Sequence, residues 1–384
     1  MDSAHPPISS RRRFLGACAS CLAFGSLAVF GQPRVPDRRM PKKTAINPWP
    51  ARYAKNLDPE TTQCLLCPNV CIRRPGETGK CRARANIGGT YRTLVYNNPC
   101  LVHLDKMEKM PMYHFLPGAN VFSVATAGCN LTCKYCQNWQ FSQRSPYETE
   151  NIRLSPSEAV KKAGDAGCKA VSFFYTEPVV YFEYMADIAS LAKKSGFKTV
   201  MVTAGYINPE PLAEILPLID AVTFGLKGFS ESFYGDVVGG DMDHVKNALL
   251  QVERSGVWTE LVTLLVPTLN DDPDDIRRLC EWVGSRLSKN RPIHFARFVP
   301  EYLLRNLPIT PQRTLETARD IARESGLSYV YTGNLPGHEG NNTCCPTCGT
   351  LLVRRIGTQV KNILLKNGRC PSCKTIQPGP WTGS

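Results

Sequence analysis

The sequence predicts an α/β fold, a parallel sheet curved into an incomplete, open barrel. Three observations carry that class. Between about residues 119 and 335, short apolar runs alternate with helix-like segments, the pattern of a parallel sheet flanked by helices. The first run, Val121-Phe122-Ser123-Val124-Ala125, reads as a buried strand. Only six or seven strand–helix units fit into these residues, short of the eight that close a barrel.

Taken in order, the candidate strands are residues 121–125, 170–174, 198–203, 221–226, 260–266, 293–298 and 328–331. Helices fall between them. The first is signalled by Ser155 as N-cap, Pro156 at the first helical position and Glu158 in the first turn.

The chain has 384 residues, longer than a typical single domain, so small modules flank the predicted core. The divisions are 1–31, a signal or anchor; 32–60, a Pro-rich and basic linker; 61–118, a four-cysteine module; 119–335, the core; and 340–384, a second cysteine-rich tail.

The net charge of +13 is concentrated at the two ends, which leaves the middle near neutral. A polyanion-binding surface is therefore poorly supported, and nucleic acid is not an expected partner.

Seventeen cysteines in a large α/β chain, mostly in Cys-x2-Cys groups, point to metal or cluster ligation rather than disulfides. Cys18, Cys21, Cys100, Cys168, Cys280 and Cys344 fall outside those groups, and small buried apolar residues is the default for at least three of them.

Ser10-Arg11-Arg12-Arg13-Phe14-Leu15-Gly16 matches a twin-arginine export signal, and residues 14–31 continue without a charge. This predicts a periplasmic or membrane-associated protein, with contact through the N-terminal segment. A cytoplasmic protein with a chance basic start is the alternative.

In the 61–118 module, Cys64, Cys67, Cys71 and Cys81 supply four thiolates within eighteen residues. Zinc and an iron–sulfur cluster both fit, and spacing does not separate them. At the end of the first core strand, Cys129, Cys133 and Cys136 are spaced Cys-x3-Cys-x2-Cys. Three thiolates on a four-iron cluster leave one iron corner free for a small molecule. A zinc knuckle borrowing a fourth ligand is the plainer alternative. In the tail, Cys345, Cys348, Cys370 and Cys373 form two knuckles, a zinc ribbon by spacing.

Further along, the chain carries Glu108-Lys109-Met110-Pro111-Met112-Tyr113-His114-Phe115-Leu116-Pro117-Gly118, then Gln137-Asn138-Trp139 after the cysteine loop, then Tyr175-Thr176-Glu177-Pro178. Val266-Pro267-Thr268-Leu269-Asn270-Asp271, Pro292-Ile293-His294-Phe295-Ala296-Arg297-Phe298 and Tyr331-Thr332-Gly333-Asn334 follow. With Tyr135 before the third cysteine, these runs resemble radical SAM enzymes of the pyruvate formate-lyase activating enzyme group. More narrowly they resemble the branch associated with Memo-like and AMMECR1-like proteins, over roughly residues 60 to 381.

That resemblance implies a partial (β/α)6-type barrel, a 4Fe-4S cluster on Cys129, Cys133 and Cys136, and S-adenosylmethionine (SAM) on the free iron. It implies that Glu177 accepts from the SAM amino group, that Lys227 pairs with its carboxylate, and that His294 approaches the ribose. The implied activity is generation of a 5′-deoxyadenosyl radical, which abstracts hydrogen from a partner protein or small molecule after reduction by a low-potential electron donor. Thr203-Ala204-Gly205 and Gly225-Leu226-Lys227 depart from the family's Thr-Asn-Gly and Asp-Leu-Lys. Each lost contact to a charged ligand is worth about 1.5 to 3 kcal/mol. An iron–sulfur electron carrier without SAM cleavage is therefore the alternative function.

Overall fold

The structure is a computed structural model that describes residues 45–381. The twin-arginine motif, the apolar run after it, Cys18 and Cys21 lie outside the described residues.

The central sheet has eight strands: β1 (Leu101–Lys106), β2 (Asn120–Ala125), β3 (Ala170–Phe173), β4 (Lys198–Thr203), β5 (Ala221–Gly225), β6 (Trp258–Leu265), β7 (Ile293–Arg297) and β8 (Val330–Gly333). They lie in sequence order, with β1 and β8 at opposite edges. From β2 to β8 every pairing is parallel, and β1 alone runs antiparallel, against β2. The seven parallel strands are those expected from the sequence, and the sheet adds an antiparallel edge strand, β1, which falls within residues 61–118, expected as the four-cysteine module.

Helices α1 (Pro156–Asp165), α2 (Phe182–Lys194), α3 (Pro209–Ile215), α4 (Met242–Arg254), α5 (Pro273–Arg286) and α6 (Gln312–Glu324) connect the parallel strands. Ser155 caps α1 with a full capping box: its hydroxyl accepts from the Glu158 amide, and the Glu158 carboxylate accepts from the Ser155 amide.

Alternation along the strands splits the sheet into two faces. Phe122, Val124, Val171, Phe173, Met201, Val222, Phe224 and Leu261 join the large core shared with the helices. Val121, Ala170, Val200 and Ala221 face the other way and pack against Met107, Met110, Met112, Phe115 and Leu116. The segment between β1 and β2 thus covers part of the second face.

The predicted linker ends earlier than residue 60. Trp49–Pro50 pairs with Thr90–Thr93, and Ala54–Asn56 pairs with Thr62–Cys64, so both strands belong to the cysteine module. Trp49 stacks on Tyr96 with ring centroids 4.4 Å apart, which fixes this entry segment.

The tail forms an antiparallel sheet of β9 (Thr343–Cys344), β10 (Leu351–Ile356) and β11 (Gln359–Ile363). It is anchored to the 107–118 segment. Arg355 donates to the Tyr113 carbonyl at 2.7 Å, the Leu116 amide donates to the Pro380 carbonyl at 3.2 Å, and the His114 ring bonds to the Pro378 carbonyl at 2.7 Å.

Candidate functional site

The loop after β2 carries Cys129, Cys133 and Cys136, and backbone bonds hold it from several sides. The Thr132 and Lys134 amides donate to the carbonyls of Val238 and Val237, at 3.0 and 2.9 Å, while the Gly128 amide donates to Phe141. The Leu131 amide also donates to the Cys129 sulfur at 3.4 Å, and the Cys136 sulfur lies 3.1 Å from the Ser142 hydroxyl. Gly128 has φ +97°, and a Cβ there would fall 2.4 Å from the Cys81 carbonyl oxygen, so glycine is required by both conformation and contact. Tyr135 is buried and stacks on Phe233, and its hydroxyl has no hydrogen-bond partner among the described residues.

Glu177 stands at the next strand's end. One carboxylate oxygen accepts from the Thr203 hydroxyl at 2.6 Å, the other from the Ala204 amide at 2.8 Å. Burial raises its pKa above the usual carboxylate range, opposed by those two donors and by the Lys227 ammonium. Tyr175 reaches this turn with φ +72°, a costly conformation for a non-glycine residue. It is held there by its hydroxyl, 2.9 Å from both Asp105 oxygens, and by its carbonyl, which accepts from Asn138 at 2.7 Å. The strain sits where the cysteine loop meets the Glu177 turn.

Burial pushes the Cys133 thiol up to about 11, and Lys227 opposes that rise. Burial also raises Cys129 well above the usual thiol range, reinforced by Glu177. The structure therefore brings Cys129, Cys133, Glu177 and Lys227 into one electrostatic neighbourhood. An electrophilic iron would bind these thiols as thiolates and reverse the effect of burial.

Gly225 makes room for Lys227: a Cβ at 225 would lie 2.9 Å from the lysine Nζ. Asn270 donates to the Lys227 carbonyl at 2.8 Å, and the Tyr234 hydroxyl accepts from the Lys227 amide at 3.0 Å. Neither Asn270 nor Tyr234 was assigned a role from sequence; Asn270 belongs to a quoted motif, whereas no local signal marks Tyr234.

His294 lies level with Gly225 two strands along the sheet, through Val262, and makes its own contacts. Its Nε2 bonds to Glu260 at 2.8 Å, and its ring sits between Tyr113 and Tyr331. Burial opposes ionisation of Glu260, but His294 and the amides of Tyr113 and His114 outweigh it and hold the pKa at about 2. This buried network joins the 107–118 segment to the tail, a role the sequence reading missed.

In the tail, the ligand atoms of Cys345, Cys348, Cys370 and Cys373 all lie within 4.8 Å of one another, so the group could hold a metal ion. The pairs Cys345–Cys373 and Cys348–Cys370 are 3.5 and 3.6 Å apart. Cys344 is exposed and outside the set. Cys64, Cys67, Cys71 and Cys81 line a single cavity with Arg84, Tyr91 and Asn130.

The sequence pattern of the Radical SAM superfamily matches residues 123–282, which include the cysteine loop, Glu177 and Lys227. An uncharacterized protein of Methanocaldococcus jannaschii is 40% identical over 325 residues, covering 84% of this chain and 97% of that one. The chain belongs to the radical SAM superfamily. A pyruvate formate-lyase-activating enzyme of Clostridium pasteurianum is 30% identical over 40% of this chain and 64% of its own. The enzyme of that name from Staphylococcus aureus is 26% identical over 48% of this chain and 76% of its own. Among solved structures, a radical SAM methyltransferase from Sphaerobacter thermophilus aligns with 80% of this chain and 81% of that one, at 13% identity and TM-score 0.44. Superfamily membership implies a 4Fe-4S cluster and SAM.

Proposed function

We propose that this radical SAM protein is an oxidoreductase of the activating-enzyme kind, whose substrate is a hydrogen atom on a partner protein or peptide. The observation that carries the reading is Glu177, buried after β3 with its carboxylate held by the Thr203 hydroxyl and the Ala204 amide.

The residues fit the cofactor pair. Cys129, Cys133 and Cys136 offer three thiolates, which leaves one iron without a protein ligand. When bound, the cluster and SAM together supply a carbon-centred radical that removes a hydrogen atom from the substrate. Glu177, with both oxygens oriented by Thr203 and Ala204, is an acceptor for the SAM amino group. Lys227 is a cation for its carboxylate, positioned by Asn270 and Tyr234. Leu131, Tyr135 and Phe233 are buried around the loop, whose three cysteines are partly buried. His294 is held by Glu260 at its Nε2, while its buried Nδ1 has no partner among the described residues and stays open to the ribose contact that the family resemblance implies.

The activating enzymes of Clostridium and Staphylococcus are named for a protein target, pyruvate formate-lyase, and this supports a protein partner here. Memo-like and AMMECR1-like proteins are the first candidates to test. The tail cysteines are proposed to hold structural zinc, since zinc–sulfur bonds of about 2.3 Å in a tetrahedron place the sulfurs slightly under 4 Å apart. The Ser10–Gly16 motif supports twin-arginine export of the folded protein.

The test is SAM binding to the anaerobically reconstituted protein, read as a change in the electron paramagnetic resonance (EPR) spectrum of the reduced cluster. A change that is lost in Glu177→Gln supports the reading. A cluster spectrum indifferent to SAM supports an electron carrier instead.

A further inference from the structure

We infer that Cys64, Cys67, Cys71 and Cys81 hold a second 4Fe-4S cluster, ligated wholly by protein and placed to pass electrons to the Cys129 loop. Three observations lead there.

The four thiols line one cavity, and the other groups around it are prepared for an anionic occupant. Arg84 lines the cavity and is almost fully buried; its Nη2 is paired with Glu183 at 3.0 Å, but its Nε and Nη1 have no hydrogen-bond partner among the described residues. A buried guanidinium with free N–H groups beside four thiols suits a thiolate-ligated centre, whose net charge is negative.

Spacing then distinguishes the centre. One tetrahedral ion draws its sulfurs close together, whereas a cluster spreads them because each binds a different iron corner. Among the described residues, the tail cysteines are the group whose ligand atoms close to within 4.8 Å of one another. The N-terminal four do not, and neither do Cys129, Cys133 and Cys136. By this internal comparison the N-terminal module resembles the cluster loop and differs from the zinc-like ribbon.

The third observation is contiguity. Asn130, between the first two cysteines of the cluster loop, lines the N-terminal cavity and accepts at its carbonyl from Asn69 at 2.8 Å. The Cys81 carbonyl lies against Gly128. The two cysteine sites share a wall, and Cys71 is partly open to solvent beside exposed Val70 and Ile72. A low-potential electron-donor protein docking there is oxidised by one electron as the N-terminal cluster is reduced. Transfer inward reoxidises that cluster and reduces the one on the Cys129 loop, with no bond made and no proton moved. The relay rests on the proposed cluster at Cys129; the second site does not.

The experiment is metal and acid-labile sulfide analysis of the full chain, isolated anaerobically from iron-replete cells, with EPR after reduction. Two clusters give about eight irons per chain, and the variant with Cys129, Cys133 and Cys136 all changed to alanine keeps about four irons with equal sulfide. Failure of the Cys129 reading alone would appear as equal iron in the two proteins. The second cluster is overturned if the triple variant carries no iron, whether its zinc doubles or not. Because that variant leaves Cys64, Cys67, Cys71 and Cys81 intact, the result does not depend on disrupting the module. Mutual broadening of the two reduced signals in the unaltered protein supports the relay, and two independent signals refute it.

Discussion

Arg355 of the tail and Glu108 of the 107–118 segment form an ion pair at 3.3 Å, with both side chains buried. Burial raises Glu108, and the Arg355 charge works against that rise. The guanidinium also lies 4.1 Å from the centre of the Tyr113 ring. Removing one partner would leave the other charge buried and alone. Arg355→Leu is expected to destabilise the protein by about 3 to 5 kcal/mol, measured by chemical denaturation under anaerobic conditions.

The network around His114 gives stability a pH dependence. Burial lowers the His114 pKa to about 4, below the ordinary 6.5. The unfolded chain therefore binds this proton first as pH falls, and stability contributed by neutral His114 is lost between pH 6.5 and about 4. The full effect is about 3 kcal/mol. Glu260, held at about 2, behaves like an ordinary paired carboxylate: its contribution is present above 4.5 and disappears only at lower pH. Denaturation midpoints should fall from pH 6.5 to 4, and should fall less in His114→Phe.

Gly128→Ala is expected to damage the loop without touching a ligand. The added Cβ meets the Cys81 carbonyl at 2.4 Å and the Ala83 Cβ at 3.0 Å, in a left-handed conformation that disfavours side chains. Iron content after reconstitution should fall, while the zinc expected in the ribbon should not.

The parallel strands were legible because each is an apolar run bounded by helix signals. Edge strand β1 was not: Leu101-Val102-His103-Leu104-Asp105-Lys106 is half polar, Leu104 is 56% exposed, and only the short 3-10 turn Met107–Lys109, not an α-helix, separates it from β2. The cysteine groups and Glu177 are visible as local spacing and motif. His294 lies in an equally clear motif, yet the side chain it meets, Glu260, lies 34 residues away. The Arg355–Glu108 pair spans 247 residues, and neither residue carries a local sign of the other.

Lys227→Ala is expected to weaken SAM binding at least tenfold, the value of one charge-assisted contact of about 1.5 kcal/mol or more. Gly225→Asp should fold normally, because the atoms its Cβ approaches most closely are the flexible end of Lys227. Equilibrium binding of radiolabelled SAM to both reconstituted variants measures the difference.

The central claim is that the Cys129 loop supports radical chemistry on SAM. The direct measurement is 5′-deoxyadenosine formation by the anaerobically reconstituted full chain, supplied with SAM and a strong one-electron reductant and read by mass spectrometry. Product is expected from the unaltered protein and none from Cys133→Ala. A fully loaded, reducible cluster that yields no 5′-deoxyadenosine would contradict it, and would make the protein an electron carrier built on a radical SAM fold.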